Sequence, residues 1–141
     1  MSEQPRLAGA VDVHAHFLPP GYREACEAAG QSTPDGTPAL PEWSPEAALE
    51  LMDHVGVRSA MLSISSPGVH FGDPSAAVTL ARSVNEAGAA LVRANTSRFG
   101  LLASLPLPEI DSALAELELA YDELRCDGVA LLTNYHGAYL S

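Results

Sequence analysis

The chain has 141 residues, 18 of them acidic and 7 basic, every basic one an arginine, for a net charge of −11 at pH 7. So acidic a surface repels phosphate backbones and anionic lipid, which excludes nucleic acid and membranes as expected partners, and no apolar run reaches the roughly 18 residues that span a bilayer. The length predicts one domain over residues 1–141, the 47% hydrophobic content predicts a packed core, and two cysteines, Cys26 and Cys126, predict reduced thiols in a cytoplasmic protein.

In chain order, the first predicted element is a strand over AVDVHAHF (10–17), an apolar run with weak polar alternation that suits burial on both faces. A short helix over YREACEAAG (22–30) follows. Three prolines then make QSTPDGTPALPEW (31–43) an irregular loop insertion of the kind that often rims a site. Ser44-Pro45-Glu46 combines an N-cap, a first-turn proline and a first-turn acid, so PEAALELMDHV (45–55) reads as a helix closed by Gly56. RSAMLSIS (58–65) predicts the second strand. Asp73-Pro74 repeats the start signal ahead of a long helix over 75–95, which Gly88 weakens without breaking.

FGLLASLPL (99–107) predicts the third strand. Asp111 is the predicted cap of a helix over SALAELELAYDELR (112–125). There Leu114, Leu117, Tyr121 and Leu124 define an apolar face, with Glu116, Glu118, Asp122 and Glu123 on a solvated one. DGVALLTN (127–134) is the fourth predicted strand, ending at Asn134. Strands alternating with helices imply right-handed crossovers and a parallel sheet. The fold class is therefore α/β, either part of a (β/α)₈ TIM barrel, whose eight units take about 250 residues, or a four-stranded open sheet.

The chemistry-bearing residues gather where strands end. In a strand Asp12, His14 and His16 share one face, and Val13 and Ala15 face the outer helices. Two imidazoles side by side at a strand's C-terminal end can ligate one cation at ~2.0–2.1 Å. They can equally be a hydrogen-bonded pair, and H-x-H alone leaves both readings open. His70 and His136 fall in loops at the same end and read as solvent or pocket-lining residues. His54, near a helix terminus, reads as structural. Asn134 is a candidate substrate contact. The glycines do not form G-x-G-x-x-G, and G-x-S-x-G and C-x-x-C are absent, which removes nucleotide, serine-nucleophile and dithiol chemistry.

VDVHAHFLPP resembles the opening motif of the amidohydrolase superfamily, in particular the branch that includes aminocarboxymuconate-semialdehyde decarboxylase. LMDHVGVRSAMLSIS, RSVNEAGAALVRANTSRFGLLASLPLP and DGVALLTNYHGAYL resemble later segments of that branch in the same order, so the likeness runs from Val11 to the last residue. It implies a metal-dependent (β/α)₈ barrel, with His14 and His16 matching first-strand ligands of a divalent metal, commonly zinc. In the family a further histidine and an aspartate come from strands beyond the fourth, so the chain resembles an N-terminal half. The implied parent reaction is nonoxidative decarboxylation of an unsaturated or aromatic carboxylic acid, with metal-dependent hydrolysis as the alternative. A noncatalytic α/β fragment, a homo-oligomer and a half that pairs with a complementing chain are the other expectations.

Overall fold

The computed structural model describes residues 9–140. Its elements run β1 (Ala10–His16), α1 (Tyr22–Ala28), a 3₁₀ turn (Pro34–Gly36), α2 (Pro45–Val55), β2 (Val57–Ser63), α3 (Pro74–Ala94), β3 (Phe99–Ala103), α4 (Ile110–Asp122), β4 (Gly128–Val129), β5 (Asn134–Tyr135) and β6 (Ala138–Tyr139). β1 to β4 form one parallel sheet in the order β1-β2-β3-β4. Spatial order equal to chain order decides between the two predicted folds. An open doubly wound sheet reverses its strand order at a switch point, whereas a barrel adds each strand beside the last, and this sheet never reverses.

Two start signals act as the sequence indicates. Ser44 Oγ accepts from the Ala47 N–H at 3.2 Å, and Asp73 Oδ1 accepts from the Ala76 N–H at 3.0 Å, each ahead of a proline in the first turn. Gly56, at φ 85°, closes α2. Asp111 does not cap α4. It lies in the first turn, behind a Glu109 whose side chain makes no capping bond.

The core lies between the sheet and the helices. Ala60 and Leu62 of β2 and Phe99, Leu101 and Ala103 of β3 alternate toward it, meeting Ala81, Val84 and Ala89 of α3 and Phe17 after β1. Cys26 and Cys126 are buried and unpaired. Burial pushes the Cys126 thiol up to about 11 and the Cys26 thiol up as well, so neither is an activated nucleophile. No helix among the described residues is long and apolar enough to cross a membrane.

Gly88 has a packing role. A Cβ there would stand 2.6 Å from Leu101 Cδ1 and 3.0 Å from Phe17 Cζ, so α3 rests on β3 through the missing side chain. Helix propensity alone favours Gly88→Ala by up to about 1 kcal/mol. Overpacking costs roughly 1–3 kcal/mol, and with two walls of the contact in the core it prevails. Gly88→Ala is therefore expected to lower the urea midpoint, and a raised midpoint would show that Leu101 moves aside freely.

Three predicted features differ. First, the inward face of α4 is only partly the predicted one: Leu117 and Leu124 pack against the core, but the face is displaced toward smaller residues. Ala113, Glu116 and Ala120 are buried, while Leu114 and Tyr121 are 59% and 45% exposed. Small alanines permit close approach to α3, and Glu116 enters the interior because Arg82 and Asn85 receive its carboxylate. Second, the fourth strand stops at Val129. Asn134 belongs to a β5–β6 hairpin, whose two-residue loop His136-Gly137 has φ of 51° and 83°, the doubly positive pattern of a type I′ turn. Third, β1 is a sheet edge, and Val13 is 67% exposed instead of covered by a helix.

Candidate functional site

β1 carries one more residue between Asp12 and Ala15 than its partner does, since Asp12 registers with Ala60 and Ala15 with Leu62. This bulge interrupts the alternation. Asp12 thus falls beside the core residue Ala60 while His16 falls beside Ser63, and the predicted shared face of Asp12 with the histidines is lost. The Asp12 carboxylate turns back on its own strand and accepts from the His14 N–H at 3.0 Å.

The two imidazoles do converge. Their Nε2 atoms are 3.1 Å apart, with ring centroids at 4.7 Å and planes at 76°. Neighbouring atoms set the proton positions. The Ser63 hydroxyl donates to the Ala15 carbonyl at 3.4 Å, so its oxygen is free to accept from His16 Nδ1 at 3.1 Å. The Ser63 carbonyl, which can only accept, lies 3.3 Å from the same nitrogen. His16 therefore carries its proton on Nδ1 and leaves an Nε2 lone pair facing His14.

That arrangement fits a cation. Two nitrogens each ~2.0–2.1 Å from a tetrahedral ion lie about 3.3 Å apart, within a few tenths of an ångström of the observed spacing. Ser63 is placed to give the outer hydrogen bond that would fix the His16 imidazole as a ligand. His14 and His16 give two donors. Among the described residues no group of three or more His, Cys, Asp or Glu can hold a metal ion, so the remaining positions on a cation here belong to other groups or water.

Beside His16 the C-terminal end of the sheet is hollow. His16, Phe17, Tyr22 and Leu40 line a cavity of about 210 Å³. Beside it lies a larger one of about 670 Å³, lined by His70, Phe71, Asn134, Tyr135 and His136 among others. Asp35 and Ser66 border both, and the Ser66 hydroxyl donates to Asp35 across 3.2 Å. Tyr22 anchors this end, donating from its phenol to the Gly68 carbonyl at 2.7 Å, and burial pushes that phenol's pKa up.

Asn134 lines the larger cavity as an exposed residue whose Oδ1 accepts from the Gly137 N–H at 3.2 Å. His54 is exposed in the last turn of α2 and lines neither cavity. Of its two expected roles His70 has the pocket-lining one: it borders the larger cavity with a side chain only 7% exposed and contacts His136. Sequence reading placed both in loops and missed their pairing. The signal available was Asn134-Tyr135-His136-Gly137, a hairpin pattern that carries His136 back toward the loop after β2.

The sequence model of the amidohydrolase family matches residues 11–141. The chain is 43% identical over 132 residues to decarboxylase yanB of Aspergillus niger, covering 90% of this chain and 35% of that protein. It is 42% identical over 127 residues to the 6-methylsalicylic acid decarboxylase acuB of Aspergillus aculeatus, covering 89% and 38%. Among solved structures, an amidohydrolase II superposes with a TM-score of 0.88 at 35% identity, covering 93% of this chain and 42% of the other. A dihydroxybenzoic acid decarboxylase from Polaromonas sp. JS666, with bound manganese and the inhibitor 2-nitroresorcinol, gives 0.70 at 27%, covering 87% and 38%. The chain thus spans little more than a third of the length of the curated relatives it matches, and its four parallel strands form a half barrel.

Proposed function

The chain belongs to the amidohydrolase family, and on that premise we propose that it is the metal-binding portion of a nonoxidative decarboxylase acting on a hydroxylated aromatic carboxylic acid. The observation that carries this reading is the convergence of His14 and His16, with the His16 proton fixed away from its partner by Ser63. The decarboxylase names of the relatives support the reaction class, and the phenolic acids in those names support the substrate class.

In this reading His14 and His16 hold one divalent cation, proposed as zinc. Imidazole nitrogens favour zinc over harder ions, although a similar decarboxylase structure contains manganese. When bound, the cation supplies a Lewis acid that polarises oxygen on the substrate. The chain's own residues do the rest. Ser63 keeps the His16 ring in place, the two-residue spacing in β1 sets the rings side by side, and Phe17 and Tyr22 wall the adjoining cavity against water. Asn134 is proposed as a substrate contact because its Oδ1 is held by Gly137, which orients the amide donors along the wall of the larger cavity.

Residues 1–141 are proposed as one folding unit, with residues 31–43 as an insertion over the cavities. Buried free thiols support a cytoplasmic setting. The edge position of β1 and the exposure of Val11 and Val13 support completion of the barrel by further strands, from a longer chain, a complementing chain or a second copy.

The test is carbon dioxide release. The chain, co-expressed with the remaining length of a curated relative and loaded with zinc or manganese, is assayed against 6-methylsalicylate and dihydroxybenzoates. Release from at least one acid is expected, falling to background in the His14→Ala/His16→Ala variant. A folded, metal-loaded assembly that releases none, or a double variant as active as the parent, would refute the assignment.

A further inference from the structure

His70 and His136 repeat the geometry of the first pair in a different place. His136 Nε2 lies 2.8 Å from His70 Nδ1, with ring centroids at 4.8 Å and planes at 73°. The two residues are 66 positions apart, on the loop after β2 and the tip of the β5–β6 hairpin. His70 is more than nine-tenths buried, and its Nε2 has no hydrogen-bond partner. That nitrogen faces Glu109 Oε1 at 3.9 Å.

From these observations we propose a second cation site, in which His70 Nδ1 and His136 Nε2 ligate one first-row transition metal and Glu109 orients His70 from behind. It is independent of the reading given to His14 and His16.

The proton inventory supports it. The Gly72 N–H donates to His70 Nδ1 at 3.2 Å, so neutral His70 carries its proton on Nε2, where only the Glu109 carboxylate faces it. A metal-bound imidazole is held by such a carboxylate on its other nitrogen once the 3.9 Å gap closes to hydrogen-bonding distance. Ligation requires His136 to carry its proton on Nδ1, a tautomer exchange that loses no proton, and a widening of about half an ångström from 2.8 Å toward the ~3.3 Å of two zinc-bound nitrogens. The cation displaces the Gly72 amide, whose bond is long. Two protein ligands are present, and the cavity of about 670 Å³ has room for water at the remaining positions. Charge also favours a cation, since Asp35 lines this cavity and no arginine does among the described residues.

Calorimetric titration with Zn²⁺ on the His14→Ala/His16→Ala chain isolates this site. One equivalent is expected to bind, Glu109→Gln to weaken it about tenfold, and His136→Asn to abolish it. Asparagine tolerates the positive φ at 136, so that variant keeps the hairpin. Zinc that fails to bind the double variant, or binds equally after His136→Asn, overturns the proposal. If the double variant does not fold, the parent chain gives the same answer. Its stoichiometry is expected to fall by one equivalent on His136→Asn, and an unchanged stoichiometry overturns the site. Failure of the first pair shows instead as an unchanged stoichiometry on His14→Ala/His16→Ala, so the two outcomes are separable.

Discussion

Replacing Asn85 with alanine is expected to destabilise the fold by about 2–6 kcal/mol, the cost of leaving two buried backbone groups unpaired and a buried carboxylate with one hydrogen-bond partner fewer. Asn85, at 1% exposure, sits in α3 and serves three groups at once. Its amide donates to the Ser104 carbonyl at 2.9 Å and to Glu116 Oε1 at 2.8 Å, and its Oδ1 accepts from the Ser104 N–H at 2.8 Å. One side chain therefore ties α3 to the segment after β3 and to α4. Alanine leaves a buried N–H and a buried C=O unpaired, each costing roughly 1–3 kcal/mol. It also leaves Glu116, only 1% exposed, with the Arg82 guanidinium as its sole named partner, at 2.9 Å.

Against a typical total of about 5–15 kcal/mol, such a loss removes much of the stability. Glu116→Gln tests the origin of the effect. The amide retains an acceptor for Asn85 or Arg82 and carries no charge to strand, so its penalty is expected to be well below that of Asn85→Ala. Urea unfolding followed by circular dichroism measures both. An Asn85→Ala shift below about 1 kcal/mol would show that water reaches Ser104 and Glu116 and takes over Asn85's bonds.

The same network marks where the sequence stops being readable. Periodicity locates α4 but assigns Glu116 to solvent, because a hydrophobic pattern cannot register an acid whose partners lie 31 and 34 positions away. The inward stripe of Ala113 and Ala120 is quiet on such a pattern, whereas Leu114 and Tyr121 are loud and point outward. Local signals fared better. Ser44 and Asp73 cap helices because capping needs only a side chain and an amide three residues on. The parallel sheet was legible because alternating strands and helices leave few other topologies.

At the candidate site, H-x-H spacing sufficed to bring His14 and His16 together. It gave no sign of the bulge that separates Asp12 from them, since a bulge depends on the register with β2. The His70–His136 contact is longer in range still, and depends on a hairpin that folds back across the sheet's end.

Removal of His16 is expected to weaken cation binding at the first pair by more than about 100-fold. The comparison that makes this informative is Ser63→Ala, expected at about tenfold, the lower end of what loss of an outer hydrogen bond to a metal ligand costs. The difference follows from what each substitution leaves behind. Without His16 a single imidazole, His14, remains on an exposed strand edge, and one donor holds no ion firmly. Without the Ser63 hydroxyl both nitrogens remain. The Ser63 carbonyl, 3.3 Å from His16 Nδ1, still accepts that proton and keeps the lone pair turned toward His14. Titration with Zn²⁺ on a His136→Asn background reads the first pair alone. Ser63→Ala losing as much as His16→Ala would mean that ring orientation, and not the number of ligands, governs affinity. Binding unaffected by His16→Ala would move the cation elsewhere and leave the two rings a hydrogen-bonded pair at a strand end.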